Sequence, residues 1–127
     1  MNRFLLICLA GAVGTGARYL ITLWTGRLLG LAFPYGTLVV NLAGCFAITA
    51  LAQAGASLLW SPTLRAVLTV GFLGGLTTYS TFHYESTRLV QEGAIGIAAA
   101  NVAFTVIGGF IAGWSGLMCA RYWLGQS

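Results

Sequence analysis

The stretch GFLGGLTTYSTFHYE, residues 71–85, determines how this chain can fold. It combines Gly74 and Gly75 with a run of hydroxyl residues, in a chain that is 58% hydrophobic and 6% charged. Glycine is entropically costly in a helix, and hydroxyl side chains compete for its backbone groups. We therefore predict a helix that breaks at mid-membrane, where freed backbone must be buried or line a cavity. The alternative is an unbroken helix that packs tightly against a neighbour.

The rest of the chain has the composition of a membrane protein. Its 127 residues leave room for about four crossings of about 20 apolar residues each, and none for an enzymatic domain. Proline and Gly-containing turns separate the candidate helices. We predict an all-α, single four-helix transmembrane domain over residues 1–127, with helices at about 3–29, 35–59, 63–90 and 94–124.

The charges indicate how the chain inserts into a membrane. Six arginines and two glutamates give a net charge of +4. The arginines lie singly between apolar segments, which argues against nucleic-acid binding. Four crossings place Arg3, Arg65 and Arg121 on one side and Arg27 and Arg88 on the other, so the positive-inside rule gives almost no preference. We predict insertion in both orientations and an antiparallel homodimer that forms an inverted repeat.

Small residues punctuate the predicted helices where close packing is expected. Examples are Gly14 and Gly16 in the first helix and Gly116 in the fourth, because helices in lipid associate through close backbone approach. The three cysteines lie far apart in apolar runs, without a metal-binding spacing, and are predicted to be small buried hydrophobic residues.

Several polar and aromatic residues inside the crossings are candidates for an ion pathway. Tyr79 and Phe82 are three residues apart and would share a helix face, where ring edges can contact an anion. Packing is the competing interpretation. Asn41 and Asn101, the latter four residues before Thr105, should face protein or water, where they could either join helices or line a pathway.

Two charged residues within the crossings remain open to two interpretations each. Arg18 lies far inside the first crossing, where it could concentrate anions at an entrance or serve as an interfacial anchor. Glu85 either lies deep in the membrane or marks the end of the third helix beside Arg88.

Three motifs together resemble the fluoride channel family known as Fluc or CrcB. They are GxxxRY at residues 14–19, PYGTLVVNLAG at 34–44 and the stretch at 71–85. The resemblance covers essentially the whole chain. It implies a passive fluoride-selective channel of the bacterial inner membrane, built as a dual-topology homodimer with two pores. It also implies a structural sodium ion at the dimer centre, bound by the carbonyls of Gly74 and Thr77.

The same resemblance implies roles for individual side chains along the fluoride pathway. Tyr79 and Phe82 would form the aromatic box, and the polar positions would be Arg18, Asn41, Ser80, Thr81 and Glu85. Tyr79 departs from the family's usual phenylalanine. Gly109 replaces a family serine, which leaves Thr105 as the nearby hydroxyl and Asn101 as a candidate amide donor.

Two other functions compete with a channel. A proton-coupled antiporter of the small multidrug kind would need a membrane-embedded carboxylate in the first crossing, which has none. A non-transporting assembly subunit would leave the broken helix and its aromatic residues without a purpose.

Overall fold

The computed structural model describes residues 2–126, and all of its regular structure is helical. The first two helices are α1 and α2, followed by the short α3 and a π-helical segment. Two more pieces, α4 and α5, precede the last helix, α6. Their bounds are α1 (Asn2–Leu29), α2 (Tyr35–Ser57), α3 (Pro62–Ala66), the π segment (Val67–Leu73), α4 (Gly74–Leu76), α5 (Tyr79–Gln91) and α6 (Ile95–Trp123).

Three of these helices are long and apolar enough to cross a membrane: α1, α2 and α6. Most of their large hydrophobic side chains point outward and are exposed. An apolar exterior of this extent is stable in lipid and unstable in water. The chain is therefore a multi-pass membrane protein.

The third predicted helix, given as residues 63–90 with a break at mid-membrane, is interrupted at Thr77 and Thr78, whereas α3, the π segment and α4 follow one another without leaving helical geometry. Ser61 caps its start by accepting a hydrogen bond from the Leu64 amide, and Pro62 occupies the first helical turn. After α4 the backbone becomes extended at Thr77, with φ −85° and ψ 157°, and at Thr78, with φ −153° and ψ 116°. Helical geometry resumes at Tyr79.

The turns between helices follow local backbone chemistry. Leu59 has a positive φ of 53°, and the Trp60 amide donates to the Gly55 carbonyl, so α2 ends two residues before the predicted boundary. Gly93 has a φ of 78°, and the Ala94 amide reaches back to the Leu89 carbonyl. This is the usual glycine-terminated helix end.

Close approach at glycine holds the helices together. The longest contact runs between α2 and α6, where Gly116 lies against the backbone of Phe46. On the opposite side α1 packs against the π segment and α4, with Gly14 against the backbone of Phe72 and Leu76. Gly16 has no such neighbour among residues 2–126, so its predicted close packing is not found within the chain. Cys8 and Cys119 are exposed, which corrects their predicted burial.

Substituting Gly14 tests this packing. We expect Gly14→Ala to lower the free energy of unfolding by about 3 kcal/mol or more, because its Cβ would overlap the rigid backbone of Phe72. Gly16→Ala is the matched control, since its Cβ meets no atom of the described chain within 4 Å. Thermal unfolding in detergent, followed by size-exclusion chromatography, measures both. Equal stability of the two variants would contradict this packing.

Candidate functional site

Asn41 of α2 supports the extended backbone between α4 and α5. Its Nδ2 donates to the Thr78 carbonyl at 3.0 Å, and its Oδ1 accepts from the Thr78 amide at 2.8 Å. One carboxamide therefore satisfies both backbone groups of the residue that leaves the helix. In lipid this compensation is required, because unpaired backbone groups cost several kcal/mol each.

The Thr78 side chain organises the first turn of α5. Its Oγ1 accepts from the Thr81 amide at 3.2 Å and lies 3.0 Å from the Thr81 hydroxyl. The Ser80 hydroxyl is 3.3 Å away. Thr78 is thus the N-cap of α5, and it gathers three hydroxyl groups at the break.

The break also changes the partners of the nearby carbonyl groups. The Thr78 amide donates to Asn41, which leaves the Gly74 carbonyl without its helical donor. The Thr77 carbonyl accepts from Arg18 Nη1 at 3.5 Å, a long contact. Gly74 is exposed and Thr77 is half-buried. Within the described chain the Gly74 carbonyl therefore has no hydrogen-bond donor, and the Thr77 carbonyl has only a long one.

An open groove of about 390 Å³ runs along this part of the chain, and we call it the aromatic groove. Within it, the rings of Tyr79 and Phe82 have centroids 5.7 Å apart and are tilted by 52°. Phe82 is 7% exposed, whereas Tyr79 is 79% exposed. The polar and glycine residues that line the groove with them include Asn41, Gly74, Thr77, Thr78 and Thr105.

A second depression lies on the other side of Thr78, and we call it the threonine cleft. Arg18 borders it and has no acidic partner within 4 Å among residues 2–126. The other residues that line the cleft are Thr15, Tyr19, Thr22, Thr37, Thr78 and Thr81. This combination of one guanidinium and several hydroxyl donors is suited to an anion.

The threonine cleft continues into a more enclosed cavity of about 280 Å³ near the helix ends. There the Thr37 hydroxyl donates to Glu85 Oε1 at 2.9 Å. Glu85 Oε2 is buried without a hydrogen-bond partner in the described chain. Arg88 also lines the cavity but pairs with Glu92 at 3.4 Å, so Glu85 faces α2 rather than forming an ion pair at the helix end.

The predicted site residues are therefore divided between two surfaces joined by Thr78. Asn41, Tyr79, Phe82 and Thr105 lie at the aromatic groove, whereas Arg18, Thr81 and Glu85 lie at the cleft and its cavity. Ser80 is exposed beside the Thr78 hydroxyl.

Sequence reasoning missed two residues that belong to these surfaces, Thr37 and Thr78. Thr37 lies four residues before Asn41 and thus on the same face of α2. This spacing could have predicted that Thr37 also faces the interior. For Thr78 the signal was a threonine, which is a preferred N-cap residue, directly before the residue where the helix was expected to resume.

Comparison with known proteins agrees with the arrangement of motifs. Residues 5–117 match the family described as "CrcB-like protein, Camphor Resistance (CrcB)". The chain belongs to the CrcB family. This match includes Arg18, Asn41, the break at Thr77 and Thr78, and both aromatic residues of the groove.

Individual members of the family are similar over nearly their full length. The chain is 46% identical over 122 residues to the fluoride-specific ion channel FluC of Geotalea uraniireducens (strain Rf4), covering 95% of this chain and 98% of that protein. It is 43% identical over 126 residues to the protein of the same name from Anaeromyxobacter sp. (strain K), covering 98% and 100%. The corresponding protein of Sorangium cellulosum (strain So ce56) is 43% identical over 122 residues.

Proposed function

We propose that this chain forms a passive, fluoride-selective ion channel that lowers cytoplasmic fluoride. The observation that carries this proposal is the near full-length similarity to proteins named fluoride-specific ion channels. The two surfaces that meet at Thr78 supply a physical route for the ion. The chain is a transporter and not an enzyme, as its relatives' names indicate.

The threonine cleft suits the first part of such a route. Arg18 attracts anions, because a charge at a low-dielectric cleft raises their local concentration. Its guanidinium has no carboxylate partner within 4 Å in the described chain, so its charge is available. Thr81, whose hydroxyl accepts from Thr78 and keeps its own proton, then offers a hydrogen-bond donor, and fluoride accepts hydrogen bonds as its water is removed.

The aromatic groove suits the part of the route where the ion is least hydrated. Ring edges of Phe82 and Tyr79 carry partial positive charge and can contact an anion without trapping it as a fixed cation would. The Asn41 carboxamide is neutral, and of its two N–H groups one donates to the Thr78 carbonyl, which leaves one for the ion. Thr105 adds a hydroxyl whose Oγ1 is buried without a partner in the described chain.

We further propose that two chains assemble as an antiparallel, dual-topology homodimer. One chain leaves the aromatic groove open, with the Tyr79 ring and the Gly74 backbone exposed. Lipid cannot satisfy freed backbone groups, so this surface requires a protein cover. The nearly balanced arginines favour a second copy inserted the opposite way. With α1, α2 and α6, the segment from α3 to α5 completes four crossings per chain.

A sodium ion at the centre of that dimer is part of the proposal. The free carbonyl of Gly74 and the weakly bonded carbonyl of Thr77 fit such an ion, because hard cations bind oxygen donors, backbone carbonyls among them. Each chain would supply its own two carbonyls, four in all, and the bound ion would hold the broken helices of the two chains together. We expect elemental analysis of dimers washed in sodium-free buffer to find a single sodium ion per pair of chains. Fully active dimers that contain none would contradict the sodium site.

The rival transporter mechanism has less support. A proton-coupled multidrug antiporter needs a carboxylate that exchanges protons with a cationic substrate. Helix α1 contains no acidic residue, and Glu85 already accepts a hydrogen bond from Thr37. An assembly subunit without transport activity would have no use for an unpaired Arg18 beside a cleft of threonines.

Growth in fluoride tests the proposal in cells. We expect the chain, placed in the inner membrane of a bacterial strain without its own fluoride exporter, to restore growth in fluoride. Gly14→Ala, which we expect to destabilise the protein, should fail to do so, and Gly16→Ala should succeed. Normal levels of protein in the membrane without any fluoride resistance would contradict the proposed function.

A further inference from the structure

Asn101 of α6 is connected to Phe82 through a serine. Asn101 is 0% exposed, and its Nδ2 donates to Ser86 Oγ at 2.9 Å. Ser86 in turn donates its hydroxyl proton to the Phe82 carbonyl at 2.8 Å. A continuous chain of two hydrogen bonds therefore links α6 to the backbone of the buried aromatic residue in the groove.

We propose that Asn101 is a positioning residue that fixes the rotation of α5, and with it the Phe82 ring, through Ser86. This inference rests on the proposed function, because it assigns Phe82 to the fluoride route. Asn101 does not line the aromatic groove, whereas Thr105, one turn further along α6, does. The Asn101 amide therefore acts on the ion only through Ser86 and Phe82.

The packing of α5 explains why such a bond matters. Helix α6 packs mainly along α2 and meets α5 less extensively, so apolar contact alone constrains α5 weakly. Ser86 lies four residues after Phe82 and therefore on the same helix face. A bond that holds Ser86 against α6 sets the direction of the Phe82 side chain. On the other side of α5, Thr37 holds Glu85, so α5 is restrained from two directions.

The environment of Asn101 argues that its role is specific. Its Oδ1 is buried with no hydrogen-bond partner in the described chain. An unpaired buried oxygen is destabilising, and an apolar side chain at this position would avoid the cost. Packing alone therefore does not explain an asparagine here, whereas a donor directed at Ser86 does.

A double-mutant cycle tests the connection in liposomes. We expect Ser86→Ala and Asn101→Ala each to lower fluoride flux by about three- to twentyfold, the range of one interhelical hydrogen bond in lipid. The double variant should lose no more than either single variant, because both act through one chain of bonds. Ser115→Ala is the matched control, since Ser115 makes the same bond to a carbonyl four residues earlier on an exposed face. Additive losses, or normal flux in Ser86→Ala, would overturn the proposal.

A second measurement does not depend on transport. We would place 4-fluorophenylalanine at position 82 and record its ¹⁹F resonance in detergent, with position 110 as the exposed control. Asn101→Ala and Ser86→Ala should both shift or broaden the resonance at 82 and leave that at 110 unchanged. Unchanged spectra in both variants would overturn the positioning role. If the unsubstituted protein carried no fluoride, the proposed function would fail, and these spectra would still decide whether Asn101 positions Phe82.

Discussion

We expect Phe82→Ile to reduce fluoride flux at least about 100-fold while the protein remains folded. Isoleucine keeps an apolar side chain of similar bulk at a buried position, so the cost to stability is small. It removes the ring edge that, on the proposed route, contacts the dehydrated anion. A desolvated charge without its partner costs several kcal/mol, and each 1.4 kcal/mol is a factor of ten. Fluoride release from liposomes measures the effect.

The matched control for this substitution is Phe110→Ile. Phe110 is 77% exposed on α6 and does not line the aromatic groove, so this variant should transport normally. Both variants should elute from a size-exclusion column as the unsubstituted protein does. Normal flux through Phe82→Ile would remove Phe82 from the pathway and leave the aromatic pair as packing.

The second large effect is expected for Asn41→Asp. The carboxylate cannot donate to the Thr78 carbonyl, and it places a negative charge beside that oxygen and beside the proposed anion route. An uncompensated charge at a part-buried site costs about 3 kcal/mol or more. We expect fluoride flux to fall at least about 100-fold and the melting temperature to drop, because the break loses one of its two supporting bonds.

Asn2→Asp is the control for added charge. Asn2 lies at the exposed start of α1, so the same chemical change should leave flux and stability unaffected. Asn41→Asp with normal conduction would show that Asn41 has no part in anion passage. Normal stability together with lost flux would assign Asn41 to the ion route and not to support of the break.

The helices with long apolar runs could be predicted closely from the sequence. The predicted bounds of α1, α2 and α6 differ from the structure by at most two residues at either end. The difference of two residues at the end of α2 has a physical reason. Leu59 adopts a positive φ, which its residue type does not suggest. The rings of Tyr79 and Phe82 lie close together, as their spacing of three residues predicts.

The polar contacts between helices could not be predicted to the same extent. The sequence identifies Asn41 as a residue that avoids lipid, but it does not show that both ends of the carboxamide meet Thr78. It left Glu85 between two interpretations, and only the packing of α5 against α2 reveals its bond to Thr37. Such contacts depend on helix rotation, which is set by many packing interactions at once.

Fluoride efflux from liposomes that contain the purified protein tests the central claim most directly. A fluoride electrode follows release under a potassium gradient after valinomycin is added, and chloride release is measured in parallel. We predict rapid fluoride release with negligible chloride release. No fluoride release from well-folded protein, or equal release of both anions, would contradict a fluoride-selective channel.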